Sequence, residues 1–596
     1  MLRVAVGQIR PEKGDYRKNL ARVASVIAGA RALDRPVDLL VFPETVTSGY
    51  FVEGGVREVA VTAGSLFRDL RELVGADSPT PDVVVGFYEQ CDNRFYNSSA
   101  YCTLDGPDAG IRHVHRKVFL PTYGVFDEQR FVDRGHDVRA FDTGWGRAAM
   151  LICEDVWHSL VPTIAALDGA QVLIVPSASP ARDPAPADGG GERIPKSVAR
   201  WRQIIRSIAE EHSVFVVLGQ LVGFEGGKGF PGGSLVVAPD GNIISAAPVF
   251  EEALLVADVD FDVMTRVRSE QPLLADFEAE LPHLMTNLNG SRPDEVRWGD
   301  ASGTAPHIRV LDGKALPTVG GSTGRDPLAI DGDLLTHWLT EFLRDEVTRR
   351  RRFDKGIVAL SGGVDSSLTA YLAVLALGAD NVIGLSLPHR TSSQDSVDHA
   401  ALVATQLGID LLTVDISAVV DGYVNAIAGA TDGRRLGNVM ARTRMIALFD
   451  HSAAHGALPL GTGNKTERLL GYFTWHADDS PPVNPLGDLF KTQVWRLAEH
   501  LGVPAAIVSK PATADLVVGQ TDEADLGVSY ENADRILHWL LQGFDESDIE
   551  RLGFARSDVK LVSSRLGSTH WKRRLPTVAM VSQTAIGEYY LRPVDY

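Results

Sequence analysis

The sequence predicts an α/β protein built as two layered halves, with a parallel sheet in the second. Three observations carry this. Residues 1–262 alternate short apolar runs with amphipathic segments of helical length. Residues 263–325 lose that pattern in stretches such as NLNGSRPDEVRWGDASGTAP. Beyond residue 326, strand, helix and strand follow one another at βαβ spacing. At 596 residues the chain is also too long for one compact domain. The expected division is a domain over 1–262, a linker over 263–325 and a domain over 326–596.

The elements follow in order. Apolar runs at 2–9, 37–42, 83–87, 148–152, 172–175, 214–218 and 234–238 read as buried strands. Residues 19–33, 56–74 and 197–211 space their apolar side chains for helices. Cys91 and Cys102 fall in an expected hairpin as packing residues, and ARDPAPADGGGER (181–193) reads as a surface loop. In the second half a helix over 329–352 leads to strand 356–360 and helix 366–377. Strand 382–387, helix 396–407 and strand 410–415 then follow.

Composition narrows the function classes. With 44% hydrophobic and 23% charged residues the chain is an ordinary globular protein, not a disordered or fibrous one. A net charge of −19 argues against nucleic acid as partner and favours small molecules. Three cysteines build no disulfide framework, and no apolar run approaches the roughly 18 residues of a membrane span. A cytoplasmic setting without a membrane partner is the expectation.

Three ionisable residues close apolar runs in the first half: Glu44 after VDLLVFP, Lys117 in HVHRKVFLP and Cys153 in RAAMLICED. Strand ends fix a side chain while the following turn exposes it. A cysteine there can be a nucleophile if a cation and a base hold it as thiolate, and a carboxylate can carry the proton that a leaving amine needs. Singly, each residue reads as core or turn. Together FPET (42–45), RKVFLPTYGVFDEQR (116–130) and LICEDVW (151–157) resemble the three signature segments of the nitrilase superfamily. The wording is most similar to the glutamine-hydrolysing domains of glutamine-dependent NAD synthetases. The resemblance covers residues 1–262 and implies an αββα sandwich. It also implies Cys153 as nucleophile, Glu44 as general base, Lys117 as oxyanion stabiliser and Glu128 as a supporting carboxylate. Tyr123 and Ser179 match positions that hold glutamine, and the 181–193 insert departs from the family pattern.

In the second half KGIVALSGGVDSSL (355–368) places a glycine-containing, hydroxyl-rich loop between a strand and a helix. Backbone N–H groups and hydroxyls of Ser361, Gly362, Gly363, Val364, Ser366 and Ser367 at a helix N-terminus suit phosphate. Asp365 would repel phosphate alone, which points to a bridging Mg²⁺. The phrase resembles the pyrophosphate loop of N-type ATP pyrophosphatases, implying a Rossmann-like parallel sheet of the adenine nucleotide alpha hydrolase type. GNVMARTRM (437–445), LGTGNKTERLLGYFT (460–474), VNPLGDLFKTQVWRLAEHLGVP (483–504), KPATADLVVGQTDEADLG (510–527) and HWKRRLP (570–576) resemble NAD synthetases in particular. The resemblance implies ATP contacts from Thr462, Lys510 and Thr513, and a second Mg²⁺ ligand in Glu467. For deamido-NAD it implies contacts from Asn438, Arg442, Glu467, Tyr472 and Lys572, with Arg444 a further cation. Gly437 and Ala477 depart from the family pattern.

The joint expectation is a homo-oligomeric ligase that amidates deamido-NAD⁺ with ATP as co-substrate and glutamine as nitrogen source. Two alternatives stay open at this point. One is a nitrilase-type amidase with a degenerate nucleotide-binding regulatory domain; the other is a different ATP-dependent amidotransferase.

Overall fold

The computed structural model describes residues 1–52, 55–75, 79–181, 194–290, 326–427, 432–513, 521–574 and 579. The first half contains β1 (Leu2–Gln8), β2 (Leu39–Val41), β3 (Asp82–Cys91), β4 (Arg94–Thr103) and β5 (Gly110–Arg116). It continues with β6 (Ala140–Asp142), β7 (Arg147–Met150), β8 (Val172–Ser177) and β9 (Phe215–Gln220). A short hairpin of β10 (Val222–Glu225) and β11 (Lys228–Pro231) precedes β12 (Leu235–Val237), β13 (Ile243–Ala246) and β14 (Ala253–Val259).

These strands make two six-stranded sheets, ordered β14-β1-β2-β3-β4-β5 and β13-β12-β9-β8-β7-β6. Strands β1 to β3 run parallel, as do β7 to β9, because a helix returns the chain between them. Val4, Val6, Leu39 and Val41 of one sheet meet Met150, Ile174, Phe215 and Val217 of the other in a dry central layer. The outer faces are covered by helices Tyr16–Arg31 and Ala63–Val74 on one side and Leu160–Leu167 and Lys196–His212 on the other. The half is the expected αββα sandwich. Cys91 and Cys102 lie in the β3–β4 hairpin, whose turn residues Asp92 and Asn93 both have positive φ.

Two expectations change. The single helix expected over 56–74 is two, Val56–Val59 and Ala63–Val74, because Ala60 is extended and Val61 bridges to Glu89. Thr62 then caps the second helix by accepting from Ser65 N. The expected linker opens as two helices, Phe261–Glu270 and Leu273–Gly290. The first starts on an Asp260 cap and packs Met264 against the central layer. Residues 291–325 of the expected linker and 182–193 of the expected loop lie outside the described residues.

The second half carries β15 (Lys355–Ala359), β16 (Val382–Ser386), β17 (Asp410–Thr413) and β18 (Ala457–Leu460), all parallel in the order β17-β16-β15-β18. Helix Val364–Leu377 packs on one face and Gly433–His455 on the other. The chain leaves β15 toward β16 and later crosses to β18 on its other side. The carboxyl ends of β15 and β18 thus flank a topological switch point, where open parallel sheets take ligands. The helix expected over 329–352 is α-helical over Gly332–Arg344 and π-helical over Asp345–Arg350. It joins the halves: Phe342 meets Phe224 and Trp338 meets Phe250 at ring separations of 6.0 and 5.6 Å.

Gly86 of β3 shows how tightly the first half is closed. A Cβ there would lie 2.4 Å from Pro43 O and 2.5 Å from Thr45 N, both backbone atoms flanking Glu44. Gly86→Ala is expected to lower stability by about 1–3 kcal/mol, read as a shift of the urea unfolding midpoint.

Candidate active sites in the two halves

Lys117 follows β5 and Glu44 follows β2, two strands of one sheet separated by β3 and β4, while Cys153 follows β7 of the other sheet, so the cluster forms across the two sheets. The Lys117 ammonium donates to Glu44 Oε1 at 2.7 Å and Glu128 Oε2 at 2.8 Å, with Lys117 and Glu44 both fully buried. Asn97 Nδ2 donates to Glu44 Oε1 at 2.7 Å and also to Glu128 Oε1, and the Tyr50 hydroxyl donates to Glu128 Oε2 at 3.1 Å. Glu44 Oε2 has no hydrogen-bond partner among the described residues. Burial, opposed by Lys117 and reinforced by Glu128, raises the Glu44 pKa to about 7. Burial alone would lower Lys117, but Glu128 and Glu44 outweigh it and keep the ammonium charged.

Cys153 stands at a turn with φ of +46°, a costly conformation for a non-glycine residue. Burial and then the Glu44 charge push its thiol pKa well up, against smaller opposing effects of Lys117, the Ser177 hydroxyl and the Ala178 backbone. At rest, burial therefore favours the neutral thiol over a cation-held thiolate.

Asp155, which the sequence reading did not single out, fastens the cysteine turn to the lysine segment. Its Oδ1 accepts from Val118 N and Phe119 N at 3.0 and 2.9 Å. Its Oδ2 accepts from Ile152 N and pairs with His115 Nε2, both at 2.9 Å. Only its position two residues beyond the cysteine hinted at this. Tyr123 is 52% exposed and donates to both oxygens of Glu154, the residue after Cys153. Ser179 N donates to Gln220 Oε1 at 3.3 Å. A cavity of about 220 Å³ opens against Tyr50, Tyr88, Phe126 and Glu128.

In the second half the loop after β15 turns at Gly362, φ +75°, where a Cβ would lie 2.1 Å from Ser396 O. Only glycine lets the backbone approach there. The Ser366 and Ser367 hydroxyls donate to Gly363 O at 3.1 and 2.8 Å, so they shape the loop rather than point outward. Ser361 Oγ accepts from Gly363 N. Thr462 follows β18, and Asn464 caps helix Lys465–Leu470 in a reciprocal pair with Glu467. Asn464 Nδ2 also donates to Asp365 Oδ1 at 3.0 Å, which ties the two strand-end loops together.

Between them lies a second buried lysine that the sequence reading missed. Lys491 pairs with Asp365, and with Glu467 Oε1 at 3.5 Å. Burial, and the charges of Asp365 and Asp522 after partial relief by Lys491, raise Glu467 to about 8. One ammonium thus faces the carboxylates of Asp365 and Glu467, oxygen donors of the type Mg²⁺ takes. No group of three or more His, Cys, Asp or Glu side chains that could hold a metal occurs among the described residues. Lys491 lies in the resembling segment 483–504, but at a helix N-terminus, KTQVW, nothing local marks it out, and tertiary placement reveals its role in the cluster.

The remaining expected residues of this half make contacts of their own. Lys510 Nζ donates to Ser396 Oγ at 3.0 Å, and Thr513 is the last described residue before 514–520. Arg442 donates to Asn438 O and Trp475 O at 3.1 Å each; Arg444 donates to Leu387 O and Ser392 Oγ. Tyr472 donates to Asp522 and Asp525. Lys572 donates to Gly471 O and Phe473 O, both at 2.6 Å, which folds it onto the segment after Glu467. Gly437 is buried in its helix, and Ala477 is buried in the turn where Thr474 N donates to Asp478. Residues 575 and 576 of the 570–576 segment lie outside the described residues.

Comparison with known proteins agrees with this layout. Residues 3–269 match the family described as carbon-nitrogen hydrolase, and residues 335–576 the one described as NAD synthase. An NH(3)-dependent NAD(+) synthetase of Trichlorobacter lovleyi is 44% identical over 260 residues, which is 44% of this chain and 94% of that protein. A solved glutamine-dependent NAD+ synthetase from Acinetobacter baumannii, in complex with ADP, superposes with a TM-score of 0.69 at 24% identity, covering 100% of this chain and 98% of that one. One from Cytophaga hutchinsonii gives a TM-score of 0.66 at 16% identity over 96% and 93%. These two share the fold. A glutamine-dependent NAD(+) synthetase of Thermotoga maritima is 30% identical over 612 residues, spanning 100% of this chain and 98% of its own. With both halves matched end to end in a single relative, this chain belongs to the glutamine-dependent NAD(+) synthetase family.

Proposed function

We propose that the protein converts deamido-NAD⁺, ATP, glutamine and water into NAD⁺, AMP, pyrophosphate and glutamate. The observation that carries this is the joining, in one chain, of a buried Cys–Glu–Lys centre to a phosphate-type loop at the switch point of a parallel sheet. The first can release ammonia from an amide, and the second can activate a carboxylate to receive it.

In the first half the Cys153 sulfur attacks the glutamine amide carbon while its proton passes to Glu44, whose Oε2 is free to take it. Lys117 uses two of its three N–H donors on Glu44 and Glu128, leaving the third for the developing oxyanion. Glu44 returns the proton to the departing nitrogen, ammonia leaves, and water activated by Glu44 cleaves the thioester to glutamate. Tyr123 and Ser179 hold the glutamine.

In the second half the deamido-NAD⁺ carboxylate attacks the α-phosphorus of ATP and displaces pyrophosphate. Ammonia then replaces AMP at the activated carbonyl carbon. N–H groups of Ser361 to Gly363 and the helix that follows bind phosphate oxygens, with Thr462, Lys510 and Thr513 on the ATP. Asn438, Arg442, Tyr472 and Lys572 orient the dinucleotide. Asp365 and Glu467 would hold Mg²⁺, which supplies charge neutralisation to the phosphates when bound. Exposed Val419, Tyr423, Ile446 and Phe449 on two helices of this half support self-association. A cytoplasmic setting belongs to the same reading, supported by three free cysteines.

Cys153→Ala is expected to cut glutamine-supported NAD⁺ formation more than about a thousandfold, with ammonium-supported formation retained. Parallel assays with the two nitrogen donors check it. Loss of both activities in a folded variant would sink the two-module reading.

Glu44 must be deprotonated to accept the thiol proton, and its pKa is raised to about 7. Glutamate release is therefore expected to rise in kcat/KM as pH passes upward through that value, measured from about pH 5 to 9. Glu44→Gln should abolish the rise together with the activity.

Asp365→Asn and Glu467→Gln are each expected to stop pyrophosphate release while glutamate release continues, since each removes a charge that faces the phosphates. A wild-type rate of pyrophosphate release in either variant would refute that assignment.

A further inference from the structure

The β10–β11 hairpin belongs to neither six-stranded sheet, yet three parts of the protein meet on it. Glu225, the last residue of β10, is buried, and its two oxygens accept from Tyr50 N at 3.0 and 3.1 Å and from Phe51 N at 2.8 Å. The fit is close: a Cβ on Gly49, φ +78°, would come within 2.8 Å of Glu225 Oε1. The Tyr50 hydroxyl in turn donates to the Glu128 oxygen that Lys117 holds. On the facing strand Gly229 O accepts from Ala181 N at 2.6 Å, two residues beyond Ser179.

The outer side of the hairpin rests on the second half. Phe224 packs on Phe342, and a Cβ on Gly229 would lie 3.1 Å from Trp338 Nε1. Arg10 passes across Gly223 and reaches Asp345 and Glu341 of the second half at 3.5 and 4.0 Å. The loop of residues 45–52 has no regular structure and two positive-φ residues, Thr45 and Gly49. A buried carboxylate gathering consecutive N–H groups is a strong restraint on such a loop.

We infer that Glu225 is a positioning residue of the amidase site, fixing the Tyr50 backbone and, through the Tyr50 hydroxyl, the carboxylate of Glu128. The second half completes this restraint by bracing the hairpin with Trp338 and Phe342. The inference rests on the amidase reading proposed above. It adds a route by which the synthetase half sets the geometry around Lys117 without touching glutamine.

The wild-type protein is assayed first for glutamate release and for NAD⁺ formation; absence of both would remove the proposed function itself. In each variant the kcat for glutamate release is divided by the ammonium-supported rate of the same preparation, which cancels any loss of folded protein. Glu225→Gln puts an NH₂ group against a backbone N–H. It is expected to lower the ratio about tenfold or more with KM for glutamine changed less than about twofold. Tyr50→Phe, which removes only the link to Glu128, should lower the same ratio. The double variant should be no worse than the poorer single one, because both act through one chain of contacts. An unchanged ratio in Glu225→Gln, or losses that multiply in the double variant, overturns the positioning role. Trp338→Ala should also lower the ratio, and an unchanged value there overturns the brace. If Glu225→Gln does not fold, Glu225→Asp keeps the charge, shortens the reach and takes its place with the same expectations.

Discussion

The first half is organised around one buried ammonium. Lys117 has no exposed surface and two carboxylates within 2.8 Å, so its desolvation must be offset by charge and hydrogen bonding together. Asn97 of β4 and Tyr50 occupy further carboxylate lone pairs, which explains why an amide is buried on β4. Truncating any one member would leave a charge without compensation, a more severe change than the loss of a single contact. The Cys153 thiol depends on the same cluster, since Glu44 opposes its ionisation and Lys117 favours it. Cys153, Glu44 and Lys117 thus share one electrostatic balance.

The second half solves the same kind of problem with the same signs. Carboxylates are in excess around Lys491, and the surplus is tolerable because Asn464, Tyr472 and Tyr530 donate to them. Asp534, on a separate helix, accepts from Thr466 and from Thr492 N, fixing the segments that carry Glu467 and Lys491. The loops that would meet ATP are therefore held from behind by a hydrogen-bonded layer. That arrangement suits a site that must accept a highly charged ligand without rearranging.

Much of this was legible in the sequence, and the reason is local. Glu44 and Cys153 each end an apolar run, Lys117 follows a strand, and the SGGVDSS loop sits between a buried strand and a helix. Residues that act across long sequence separations were not legible. Asn97, His115 and Glu225 are polar groups on strands, a pattern that sequence reads as solvent-facing. The break at Ala60–Thr62 was hidden because the helical spacing of 56–74 runs through it, whereas bridging of Val61 to Glu89 decides the matter in three dimensions. Residues 263–290 show the reverse: the Gly/Pro/Ser-rich stretches that mark 263–325 as a linker lie mostly beyond them, and the Asp260 cap and the Met264 contact make this opening part helical.

The placement of the three cysteines has a practical consequence for chemical labelling. Cys102 is sealed in the β4 core with its thiol pushed up to about 12, and Cys153 is buried with its proton held at rest. Cys91, at the end of β3, is the half-exposed one. An alkylating reagent too large for the amide pocket therefore reaches Cys91 first, and incorporation runs ahead of inactivation. Stoichiometric modification of this protein is then no measure of Cys153; a reagent small enough to enter the first half's cavity and reach the buried thiol would be needed to count it.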